Sequence, residues 1–281
     1  MNQHLFERAA PSYASEDDPL GPLADLPGTW TGKGLNVIGL PDFHDTQPFR
    51  VMVNATYETL TFERTGIIPN RGDSQDDIFL YGVTYLQQIS DQDTSEGIHV
   101  EPGIWLNVPA TTSPSGEASI VRQSSIPHGT TVLAQGTSYT RSGAPSYPKA
   151  PALAVPLPDG PPLKEGYNDP YYTGSFPKGY DPNDMNAPLL EVLKQQINVD
   201  GIRCLSNTAL TVSTSPLGGI SNIPFIKTNA DAVDMKATFN IESMMTKDNK
   251  PFLQLQYTQT VNLIFGNIIW PHISVATLIK K

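Results

Sequence analysis

From Gly28 onward the chain is built of short runs in which apolar and polar positions alternate. Runs rich in Val, Ile, Thr, Tyr and Phe cover Gly28–Ile38, Phe49–Arg64, Ile78–Ser90, Gly97–Val108, Ala118–Ser125 and Thr130–Thr140. Turn clusters separate them: Pro41-Asp42, Pro69-Asn70-Arg71-Gly72-Asp73, Asp91–Glu96, Pro114-Ser115-Gly116 and Pro127-His128-Gly129. Period-two runs bounded by Gly, Pro, Asn and Asp predict strands, and their spacing predicts an up-and-down antiparallel meander.

The pattern breaks after Gly143. Eleven prolines fall between Pro145 and Pro188, which excludes central strands there. Tyr147, Tyr167, Tyr171, Tyr172, Phe176 and Tyr180 make the stretch too aromatic for a disordered linker, so an ordered insertion or lid is expected over about 143–229. Within it, Leu189, Leu190, Leu193 and Ile197 fall at helical spacing, predicting a short helix over Pro188–Ile202 with Asn186 as its cap. Alternation resumes in Thr208–Ser213, Asp234–Glu242, Phe252–Phe265 and His272–Lys280. The expected fold is therefore all-β. A polar arm, residues 1–20, leads into one domain, 21–281. That domain is a closed antiparallel barrel of about ten strands whose first and last strands pair, since closure removes exposed edges.

Composition narrows the partners. The formal net charge of −10 argues against nucleic acid, which demands clustered Lys and Arg, and against anionic membrane surfaces. A single cysteine, Cys204, permits neither an internal disulfide nor a Cys-based zinc site. Residues 1–19 contain Glu16, Asp17 and Asp18 and lack an apolar core, and no run reaches membrane-spanning length; a cytoplasmic protein without a signal peptide is expected.

Candidate chemistry rests on few residues. There are five histidines: His4, His44, His99, His128 and His272. His4 lies in the polar arm and His44 in a loop. Alternation puts His272 on one face with Ser274, Ala276 and Leu278, where small neighbours leave room for something flat and large; the same pattern also suits a histidine satisfied at a barrel rim. His99, Glu101, Gly103 and Trp105 share another face, as a polar pair in a cavity or as a structural one. His128 sits in a tight turn. No nucleotide-binding glycine loop, H-E-x-x-H or nucleophile elbow is present, and Asp73, Asp76 and Asp77 match no calcium loop.

Four segments resemble, in order, the nitrobindins, haem-binding barrels related to fatty-acid-binding proteins. Gly21–Gly34, with Gly28-Thr29-Trp30-Thr31-Gly32-Lys33-Gly34, is similar to that family's opening strand. Gly97–Trp105 is similar to its His-x-Glu-x-Gly-aromatic segment, Ile126–Thr130 to the following turn, and Tyr257–Leu278 to the last hairpin. The resemblance covers about Pro19–Thr140 and Asp231–Lys281.

It implies b-type haem at one end of the barrel. His272 would be the proximal iron ligand and His99 a distal catalytic residue, with Trp30, Gly32, Glu101, His128 and Ser274 around the cofactor. The implied activities are binding or conversion of nitric oxide, peroxynitrite or peroxide, as a peroxynitrite isomerase or a peroxidase-like protein. The competing expectation is a carrier of a lipid or other apolar molecule without haem.

Overall fold

The computed structural model describes residues 18–42 and 49–281. His4, His44 and most of the 1–20 arm lie outside the described residues. Ten long strands form the framework: β1 (Gly28–Pro41), β2 (Phe49–Arg64), β3 (Ile78–Asp91), β4 (Gly97–Val108), β5 (Ser119–Ile126), β6 (Thr130–Ser142), β7 (Arg203–Ser213), β8 (Asp231–Met245), β9 (Pro251–Phe265) and β10 (Ile268–Lys280). Each pairs antiparallel with the next, and β10 returns to β1 with Trp30 opposite Lys280 and Val37 opposite Ile273. The expected closed all-β barrel of ten strands is present. Short pieces are appended: Gly219–Asn222 along β6, Ile68–Asn70 along β3 and Val155–Pro156 along β10.

Strand alternation sorts the core into two regions. Inside the barrel, Trp30, Leu60, Val83, Trp105, Phe239, Leu255 and Leu278 pack together, and Leu20, Leu23 and Leu26 plug this end from below. Outside, Leu35 and Val37 of β1 and Ile273 and Val275 of β10 point away from the interior and meet Ala152, Ala154, Tyr171, Met185 and Leu189. β1 and β10 are thus covered on both faces near the seam, and the run Leu35-Asn36-Val37 is buried throughout.

This corrects the insertion in two ways. Residues 143–202, with the helix α1 (Ala187–Asn198), buttress the outer wall of β1, β2, β9 and β10 and are not a lid over the interior. Arg203–Ser213 is barrel strand β7, paired with β6 and β8. Only residues 214–230, which include α2 (Pro224–Asn229), stand at the rim, where the Ile223 amide donates to the Gly129 carbonyl at 2.9 Å. Because Leu189 fills the joint between α1 and the wall at 2% exposure, Leu189→Ala is expected to cost about 2–5 kcal/mol through the cavity left behind. A denaturant midpoint within error of the parent would contradict the buttress.

Candidate functional site

The two barrel ends differ. At the plugged end the inward side chains Trp30, Leu60, Trp105, Leu255 and Leu278 are at most 1% exposed. At the other end His99, Ile126, Gln259, Val261, His272 and Ser274 are all partly exposed. The barrel is packed at one end and hollow at the other.

His272 lies in the wall of the hollow. It does not begin its strand: β10 starts at Ile268 and includes Pro271. The β1–β10 ladder ends at Val37–Ile273, so Pro271 stands where β10 has one barrel neighbour, a position that tolerates a missing N–H. The β1–β10 register sets Asn36 opposite Ser274. The Asn36 Nδ2 group donates to Ser274 Oγ at 2.8 Å and to His272 Nε2 at 2.7 Å.

His99 and His128 face each other across the same end, ring centroids 6.1 Å apart. An extra residue, Ile98, breaks the β3–β4 register beside His99, and such bulges re-aim neighbouring side chains. The β4–β5 ladder ends at Gly103–Ser124. Pro102 follows with no N–H to give, so the wall loosens between His99 and His128. A cleft of about 470 Å³ opens there on the outer face, bordered also by Tyr57, Gln88 and Ser90; His272 does not line it.

The floor of the hollow is a buried polar network. His99 Nε2 is 3.2 Å from Glu101 Oε2, and Arg122 Nη2 donates to Glu101 Oε1 at 2.6 Å. Arg122 also donates to Tyr85 and Gln259, and Tyr85 donates to Glu101. Burial alone would raise the Glu101 carboxyl. The Arg122 charge and the hydrogen bonds from His99 and Tyr85 outweigh that and hold it well below the usual carboxylate range. Beside it, Glu58 accepts from Tyr257 at 2.7 Å and from Thr56 at 3.1 Å, and burial raises its carboxyl. Burial, together with the nearby His99 and His128, pushes His272 down to about 4. Its imidazole is neutral at neutral pH.

No family model matches this chain, and no curated protein matches it. Among solved structures, the crystal structure of Rv2717c from M. tuberculosis is similar. The TM-score is 0.48 and the identity 16%, over 94% of this chain and 97% of that one.

The fold brings together His99, Glu101, His128, His272 and Ser274. It does not bring Trp30 or Gly32 to them. Trp30 is fully buried in the plugged end, its Nε1 donating to the Leu26 carbonyl at 2.8 Å. Asn36 lies six positions further along β1, about 20 Å of strand. Gly32 lets β1 and β10 close: a Cβ there would lie 2.0 Å from the Thr277 carbonyl oxygen. Both serve closure of the barrel.

Sequence reasoning passed over Asn36, Arg122 and Gln259. Period two from Trp30 places Asn36 inward, and pairing of first and last strands places it near Ser274, so a signal was there for Asn36.

The donor set bears on what the hollow can hold. Among the described residues, no three of His, Cys, Asp and Glu are gathered as a site for a bare metal ion. One neutral imidazole among partly exposed inward side chains is the kind of donor that a haem iron would use.

Proposed function

We propose that the open end would hold a haem, with His272 as a ligand to its iron and His99 and His128 nearby. The observation that carries this reading is the neutral imidazole of His272, which shares the solvent-open end of the barrel with His99 and His128. A bound haem would supply an iron able to take a diatomic ligand or a peroxide.

The chain's own residues set the surroundings. His99 Nε2 is committed to Glu101, which Arg122 fixes in turn, leaving Nδ1 as the exchangeable atom of that ring. Burial, and then the nearby His99, lowers His128 below its ordinary value. An imidazole held this way is suited to give or accept a proton or a hydrogen bond beside a polar ligand. The polar floor of Arg122, Gln259 and Glu101 is less suited to an acyl chain, which favours haem over the lipid-carrier reading.

Protein titrated with haemin is expected to develop a Soret band at one haem per chain, and His272→Ala to lose that band or shift it strongly. An unchanged spectrum in the variant would remove His272 as the ligand. Tight uptake of a fluorescent fatty acid with no defined haem stoichiometry would favour the carrier instead.

A further inference from the structure

We infer that Asn36 is a positioning residue for His272: its amide holds the place of the metal at Nε2 and is displaced when the metal arrives. The displacement rests on the haem reading above; the positioning does not.

An amide nitrogen only donates. The Asn36 Nδ2 group has two hydrogens and two partners, Ser274 Oγ at 2.8 Å and His272 Nε2 at 2.7 Å. Nε2 must therefore carry a lone pair, and the imidazole proton sits on Nδ1. Asn36 is 6% exposed, and the β1–β10 ladder fixes it opposite Ser274. The Ser274 hydroxyl holds the amide and the amide holds the ring. One tautomer is selected, the one whose Nε2 is free of a proton.

The same hydrogen bond occupies the direction in which that lone pair points. A metal approaching Nε2 has to displace the amide, which keeps Ser274 as a partner. Asn36 thus presents the ring in the form that ligates and competes with ligation by one hydrogen bond.

The first test leaves Asn36 in place. Protein labelled with ¹⁵N-histidine, free of haem, is examined by long-range ¹H–¹⁵N correlation, with His272 assigned by its absence in His272→Gln. The expected pattern is a protonated Nδ1 and an unprotonated Nε2. A protonated Nε2 overturns the inference, whatever becomes of haem. In Asn36→Asp the carboxylate can only accept, so the proton is expected to move to Nε2; an unchanged tautomer there also overturns it.

Haemin titration then tests displacement. Asn36→Ala removes a competing hydrogen bond of ordinary strength and is expected to bind haemin about two- to tenfold more tightly, and Asn36→Asp more weakly than the parent. Equal or weaker binding by Asn36→Ala overturns the displacement. If the parent protein takes up no haemin, the haem reading and the displacement both fail, and the tautomer measurement still decides whether Asn36 positions the ring.

Discussion

Replacing Arg122 with methionine is expected to destabilise the protein by about 3–5 kcal/mol, the usual result of stripping one partner from a buried ion pair. Arg122 is 1% exposed and all three of its nitrogens are engaged, with Tyr85, Gln259 and Glu101. Its guanidinium also lies over the rings of Phe239, Tyr85 and Trp105 at 5.2, 5.4 and 5.6 Å. Methionine restores most of the volume but leaves the Glu101 carboxylate without its cation. The penalty comes chiefly from that stranded charge. The double variant Arg122→Met with Glu101→Gln is therefore expected to recover most of the loss, because it removes both charges. Urea denaturation of the two single variants and the double closes the cycle. A double variant no more stable than Arg122→Met would show that packing against the three rings, and not charge, is what Arg122 contributes.

The second large effect is a dependence on pH that arises outside the barrel. Glu242 of β8 points outward and is fully buried beneath the insertion. Gln254 Nε2 donates to it at 2.7 Å and the Tyr147 hydroxyl at 3.4 Å. Among the described residues no cation pairs with it. Burial pushes its carboxyl up to about 8 against those two hydrogen bonds.

The folded protein then holds a proton that the unfolded chain releases above its ordinary value of 4.5. Stability falls as pH rises from there and levels off above about 8, by up to about 1.4 kcal/mol per pH unit. The neighbouring Tyr147 hydroxyl is raised well above its ordinary range, and the Cys204 thiol is pushed up to about 12, by burial first and then by Glu242, so both stay neutral across this window. Glu242→Gln is expected to be more stable than the parent at pH 8.5 and to differ little at pH 5. Thermal unfolding of both proteins at the two pH values reads this directly. A constant difference between them would mean that Glu242 does not titrate in the fold.

The legible part of the fold was its alternation. β2 and β4 were readable to the residue, because polar and apolar positions interleave cleanly and turn residues bound both runs. β7 was shortened at its start, since Arg203-Cys204-Leu205-Ser206-Asn207 shows no such interleaving and a register shift interrupts its pairing there. Pro271 reads as a boundary in the sequence, whereas the missing β1 neighbour lets it lie inside β10. The insertion's position was not readable: Leu35 and Val37 require cover, but nothing in the sequence says which segment provides it. The site was legible where two chemically distinctive residues share a face, as His99 and Glu101 do. Asn36, Arg122 and Gln259 are ordinary strand residues whose roles come from partners on other strands.

The buttress covers one sector of the wall, formed by β1, β2, β9 and β10, while β4 and β5 part beyond Gly103–Ser124. The cup therefore has a fixed jaw and a yielding one. His272 and Asn36 belong to the fixed jaw, clamped from outside, and His99 and His128 to the yielding one. A haem held as proposed would meet His272 on the clamped side, and any adjustment to its shape would fall to the other.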